Sequence, residues 1–228
     1  MGLPRLNPLS LLCVADELEP WEHAGFAVSG RSAVSVGSMI IGSIVIELHG
    51  CDSGSGVTAW GFDGHPGGGS IDGIAVVEPM QHRPATVPHP NGDHPNGVVG
   101  IDHVVVMSGD VDRTVGALAA VGSEPSRRRE VELGGVASQQ VFCWSGNVIL
   151  EIVGPIEPTA DRPSTVWGIT LVSDDLDATV AFLDDLCSPA RPAVQPGRRI
   201  ATVDRSAMGS SVRLAVMDRH VGTEKSDR

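Results

Sequence analysis

Gly100-Ile101-Asp102-His103-Val104-Val105-Val106-Met107-Ser108-Gly109-Asp110-Val111-Asp112-Arg113-Thr114-Val115 decides how this chain is read. Residues 101–106 form an apolar run broken by Asp102 and His103, the pattern of a strand carrying one embedded histidine. Asp110 then stands where a helix N-cap belongs, ahead of Val111, Val115 and Leu118 at helical spacing. About 65 residues later the pattern returns as Gly168-Ile169-Thr170-Leu171-Val172-Ser173-Asp174-Asp175-Leu176-Asp177-Ala178-Thr179-Val180. The block Asp-Val-Asp-Arg-Thr-Val matches Asp-Leu-Asp-Ala-Thr-Val without a gap, which marks an internal repeat.

Each copy continues into strands. They are expected at 129–133, 138–144 and 147–153 after the first helix, and at 198–204 and 211–217 after the second. A unit therefore reads strand, helix, then two or three antiparallel strands. The N-terminal part is a looser third copy, with strands at 9–15, 34–41 and 43–49 and a helix at 16–26. Gly42-Ser43-Ile44-Val45-Ile46-Glu47-Leu48 parallels Gly146-Asn147-Val148-Ile149-Leu150-Glu151-Ile152. A fourth fragment, Ile71-Asp72-Gly73-Ile74-Ala75-Val76-Val77, echoes the strand of His103 but has no helix after it. These repeats divide the chain into a degenerate N-terminal module (1–80), a Pro/His/Gly-rich linker (81–98), a two-module region (99–155 and 165–218, within 99–220) and a polar tail (221–228).

Composition narrows the function. Sixteen Lys and Arg face 28 Asp and Glu, a formal charge of −12, which disfavours nucleic acid and anionic membranes as partners. No segment approaches the roughly 18–20 apolar residues of a membrane helix, and the apolar run at 9–15 makes a poor export signal. Cys13, Cys51, Cys143 and Cys187 are scattered without CxxC spacing, as expected of reduced thiols in a cytoplasmic protein. Gly67-Gly68-Gly69-Ser70 lacks the Lys-Ser/Thr ending of a phosphate-binding loop, and no GxSxG elbow occurs.

His103 and Glu151 are the residues that promise chemistry. A histidine on an apolar strand is a metal ligand, a proton carrier or a hydrogen-bonded core residue. A carboxylate between Leu150 and Ile152 needs a partner or a raised pKa, with Arg199 or Arg213 as the structural partner expected. Glu47 and His49, two apart, share a strand face; they either supply further ligands or end a solvent-facing strand. His82, His89 and His94 fall in the linker and are expected to be solvated. Trp60, Trp144 and Trp167 are core candidates, with Trp144 and Trp167 also placed to wall a cavity.

Repeated βαβββ units with His on the first strand and Glu on the last resemble the vicinal oxygen chelate superfamily, which includes glyoxalase I, extradiol dioxygenases and bleomycin-resistance proteins. The resemblance covers roughly residues 99–217. It implies an α+β fold whose modules pair into curved mixed sheets around a cavity, with metal ligands on the first and last strands of both modules. Carried over, the first module supplies His103 and Glu151, while the second offers Gly168 and Ala215, leaving half a metal site. An intact site implies a divalent metal (Zn, Ni, Mn, Fe or Co) and a glyoxalase-like lyase or isomerase acting on a small carbonyl compound, with Glu151 as base. The missing half implies instead a metal-free small-molecule binding protein of the bleomycin-resistance type. A third reading is a non-catalytic interaction module. Modules of this fold also pair between chains, so a homodimer is a further expectation.

Overall fold

The structure, a computed structural model, describes residues 7–30, 32, 34–79, 94–159 and 162–219. Most of the expected linker, with His82 and His89, and the polar tail lie outside the described residues.

Four units follow one another along the chain. The first contains β1 (Leu9–Val14), α1 (Leu18–His23), β2 (Gly37–Ile41) and β3 (Ile44–Leu48). The second is reduced to β4 (Val57–Phe62), β5 (Ser70–Ile71) and β6 (Ile74–Val76). The third contains β7 (Val98–Met107), α2 (Val111–Ala119), β8 (Pro125–Leu133), β9 (Val136–Ser145) and β10 (Val148–Pro155). The fourth contains β11 (Thr165–Ser173), α3 (Leu176–Leu183), β12 (Arg191–Pro192), β13 (Arg199–Thr202), α4 (Arg205–Met208) and β14 (Arg213–Asp218).

The repeat seen in sequence is a repeat of hydrogen bonds. Asp110 caps α2 by accepting from Arg113 N at 3.0 Å, and Asp175 caps α3 by accepting from Ala178 N at 3.0 Å. Ser108 Oγ accepts from Asp110 N at 3.0 Å and bonds Thr114 Oγ1 at 2.6 Å; Ser173 does the same with Asp175 N (3.0 Å) and Thr179 Oγ1 (2.7 Å). The short polar residues around each strand-to-helix turn thus satisfy one another and the first turn of the helix.

In every unit the last strand pairs in parallel with the first: β3 with β1, β6 with β4, β10 with β7 and β14 with β11. First strands pair antiparallel across units, β1 with β4 and β7 with β11. The continuous sheet runs β2-β3-β1-β4-β11-β7-β10-β9-β8, with β6, β14 and their partners off this path. Among the described residues the two halves meet in the sheet through one antiparallel pair, Val166 with Val57.

The fourth sequence fragment is corrected by this topology. Residues 71–77 close the reduced unit and do not open it; Asp72 and Gly73 turn the β5–β6 hairpin with φ of 46° and 90°. Asp-Gly between apolar residues is a hairpin signal, and here it outweighs the likeness to the His103 strand. The unit's first strand is β4, which carries the fully buried Trp60.

Alternation along β7 sorts its side chains. Val104 and Val106 are fully buried under α2, together with Leu150, Ile152 and Leu118; each such side chain contributes about 1.5–3 kcal/mol by leaving water. His103, Val105 and Met107 point to the opposite, concave face and line a cavity.

Polar clasps bind the halves together. Asp16, 1% exposed, accepts from Trp21 Nε1 (2.9 Å), Ser210 Oγ (2.7 Å) and Ser211 N (2.8 Å), joining the first unit to the fourth. Asp72 accepts from Arg113 Nε (2.6 Å), Ser164 Oγ (2.6 Å) and Thr114 Oγ1, joining the hairpin to α2. His94 is not solvated as expected of a linker residue. It is 6% exposed, accepts from Ala27 N at Nδ1 (3.0 Å) and meets the Ile40 carbonyl through Nε2 (3.1 Å). All four cysteines are free thiols. Among the described residues no helix is long and apolar enough to cross a membrane.

Candidate active site

Strand register sets the geometry. Along the β7–β11 ladder His103 faces Thr170, Val104 faces Ile169 and Val105 faces Gly168. This pattern is symmetric about the Val104–Ile169 pair and relates His103 to Gly168. In the flanking parallel ladders Glu151 pairs with Val105, and Ala215 pairs with Thr170. Ala215 therefore occupies the second-module counterpart of Glu151. Both substitutions inferred from the repeat stand at the corresponding positions in three dimensions.

The ladder skips Asp102: Thr170 pairs with His103, and Leu171 with Ile101. This bulge lets consecutive side chains meet. Asp102 Oδ2 lies 2.8 Å from His103 Nδ1, and Asp102 Oδ1 lies 2.6 Å from Arg198 Nη2, whose residue is 8% exposed. Burial alone would raise the Asp102 carboxyl, but hydrogen bonds and charge from His103 and Arg198 hold it below the usual aspartate range. An ionised carboxylate only accepts, so His103 Nδ1 carries a proton and donates it to Asp102. The opposite nitrogen, Nε2, meets Thr170 Oγ1 at 2.9 Å and Glu151 Oε2 at 3.6 Å.

Glu151 finds neither Arg199 nor Arg213 as its partner. Arg199 pairs with Asp177 and Asp218, and Arg213 lies 5.0 Å over the Trp167 ring. Instead Gln140 Nε2 donates to Glu151 Oε1 at 2.7 Å, and Arg129 Nε donates to Gln140 Oε1 at 2.6 Å. Burial pushes the Glu151 carboxyl above the usual glutamate range, against the pull of the His103 and Arg129 charges; Asp102 adds to the rise. An amide as nearest donor leaves the carboxylate short of positive charge, a state suited to proton transfer.

These groups open into a cavity of about 660 Å³. Its walls include Val105, Met107, Val153, Ile200 and Leu214, and Gly168 and Ala215 leave space where the first module carries its polar pair. Arg191, Arg205 and Arg213 also line it, each exposed, and none pairs with a carboxylate among the described residues. Trp167 is on the wall. Trp144 is elsewhere, 51% exposed in a second depression beside Gly100, Ile149 and Arg219.

Glu47 does not line it. It sits on β3, 8% exposed, and not at a solvent-facing strand end as the alternative reading had it. Cys13 Sγ, a Glu47 carboxylate oxygen and a His49 ring nitrogen lie within 4.8 Å of one another. Burial, helped by the Glu47 charge, pushes the Cys13 thiol up to about 12.

At the main cavity the donors suited to a metal are His103 Nε2 and Glu151 Oε2, with the Thr170 hydroxyl beside them. Resident zinc-type ions take three or four protein ligands. With Gly168 and Ala215 in the second module this donor set falls short of a resident metal site. Sequence reasoning passed over Asp102, Gln140, Thr170 and Arg198. Asp102 carried a usable signal, a second polar residue in an apolar run; the others depend on cross-strand register.

No protein-family model matches the chain, and no curated protein matches it in sequence. Solved structures do match in fold. A variant of 4-hydroxymandelate synthase from Streptomyces coelicolor has a TM-score of 0.58 at 12% identity, covering 94% of this chain and 93% of that one. A xylose isomerase-like TIM barrel/4-hydroxyphenylpyruvate dioxygenase fusion protein has a TM-score of 0.64 at 14% identity, over 97% of this chain and 51% of that one. An extradiol ring-cleaving dioxygenase from B. fuscum has a TM-score of 0.59 at 11% identity, over 96% and 73%. The likeness extends through the N-terminal units as well as the region in which the sequence repeat is clear.

Proposed function

We propose that this chain, which has the fold of the vicinal oxygen chelate superfamily, catalyses proton transfer at the carbon next to a carbonyl in a small anionic substrate. The observation that carries the reading is the His103–Glu151 pair, 3.6 Å apart, on the wall of a cavity that also presents three arginines without acidic partners among the described residues. Glu151 is the base: its raised pKa brings proton uptake closer to neutral pH, and Gln140 holds its other oxygen. His103 is its proton partner, its Nδ1–H held by Asp102, so that Nε2 faces Glu151 and Thr170. Arg191, Arg205 and Arg213 supply the positive charge that binds a carboxylate and offsets charge developing on an enolate oxygen. This is the isomerase or lyase chemistry expected from the sequence, carried by side chains.

Gly168 and Ala215 favour a second reading, a binding protein that holds an anionic carbonyl compound without turning it over. Solvent-deuterium exchange separates the two. The protein is incubated in D₂O with a panel of 2-oxo acids and 2-oxo aldehydes, and loss of the α-proton signal is followed by NMR. Catalysed exchange abolished in Glu151→Gln, with binding retained, supports the enzyme. Binding without exchange leaves the binding protein.

A further inference from the structure

We infer that Cys13, Glu47 and His49 form a zinc-type metal site in the N-terminal half, separate from the His103–Glu151 cavity. Cys13 and Glu47 are register partners on the adjacent parallel strands β1 and β3, so their side chains leave the same face. His49 lies two residues beyond Glu47 and returns to that face. Thiolate, carboxylate and imidazole are the ligand types such ions take, at about 2.3 Å for sulfur and about 2.0–2.2 Å for nitrogen and oxygen. Tetrahedral N and O ligands at those lengths stand roughly 3.4 Å apart. His49 Nε2 and Glu47 Oε2 are separated by 3.2 Å, and all three donors lie within 4.8 Å.

The competing account is a Glu47–His49 ion pair with Cys13 as an apolar filler beside Leu11 and Ala59. Charge argues for the metal. Glu47 is 8% exposed, and among the described residues no arginine or lysine pairs with it. A divalent ion supplies the missing charge, and the thiol proton leaves to solvent as the Cys13–metal bond forms. The site also departs from the layout of the C-terminal half. Glu47 matches Glu151 in register, since Cys13 stands to Glu47 as Val105 stands to Glu151, but the position of His103 is taken by Leu11. The three protein ligands leave a fourth position for water.

Cobalt titration of the intact reduced protein tests this, because a thiolate bound to Co²⁺ gives a near-ultraviolet charge-transfer band. The expected result is one equivalent of Co²⁺ with that band, displaced by Zn²⁺. Cys13→Ser should lose the band, while Cys51→Ser and His103→Ala keep it. His49→Gln should weaken binding by more than the roughly 10–100-fold that loss of a supporting contact costs, and it keeps the test open if Cys13→Ser fails to fold. A titration without the band, a band that survives in Cys13→Ser or in His49→Gln at full affinity, or one lost with His103 or Cys51 overturns the inference.

Discussion

The largely enclosed Asp102–Arg198 pair gives the sharpest test of how the site is held. Arg198 is buried and Asp102 is partly buried, with 2.6 Å between them, and Asp102 also fixes His103. Asp102→Ala strands the guanidinium of Arg198, which among the described residues keeps its Nε contact to the Asp218 carbonyl at 2.8 Å. Removing one partner of a buried pair costs about 3–5 kcal/mol, whereas replacing both by apolar groups is often close to neutral. In a chain of 228 residues that loss lowers the melting temperature by roughly 6–20 °C. The cycle is Asp102→Ala, Arg198→Met and the double variant, measured by urea denaturation at pH 7. Asp102 has a lowered folded pKa, so its contribution is present above the ordinary aspartate range and is lost only as pH falls through the folded value; at pH 7 it is read in full. The double variant should be more stable than the sum of the singles implies, by about 2 kcal/mol or more. Additive losses, or a cost below about 1 kcal/mol for Asp102→Ala, would refute a coupled pair that organises His103.

Glu151 should act on stability with the opposite sign. Its folded pKa is raised, so the folded state keeps a proton that the unfolded chain releases near pH 4.3, and stability falls as pH climbs from there through the folded value. Glu151→Gln should flatten that fall and raise stability at pH 8, read by urea melts between pH 5 and 8; an unchanged slope counts against a strained carboxyl. Asp72→Ala removes the acceptor shared by Arg113, Thr114 and Ser164 and should cost about 3 kcal/mol, measured as a shift in denaturation midpoint. Gly168→Ala should cost about 1–3 kcal/mol, because a Cβ there would stand 2.8 Å from the Arg213 carbonyl oxygen; Gly168→His should therefore destabilise the protein and add no metal ligand.

Local patterns in the sequence determined the repeat. Helix period, acidic N-caps and the Ser-x-Asp-x-Asp-x-Thr turns are short-range, so α2 and α3 and their flanking strands could be read directly, as could His103, Glu151 and their absent counterparts Gly168 and Ala215. The β-ladder register then follows from matching apolar faces, because a one-residue slip would expose Val104 and Val106. What only the tertiary structure decided are the meetings between distant strands. The bulge that turns Asp102 toward His103, the Gln140 amide on Glu151, the arginines that converge from β12, α4 and β14, and Cys13 beside Glu47 all depend on strand order and backbone irregularities. Those are set by packing the whole sheet, in which no single stretch of sequence specifies its neighbour.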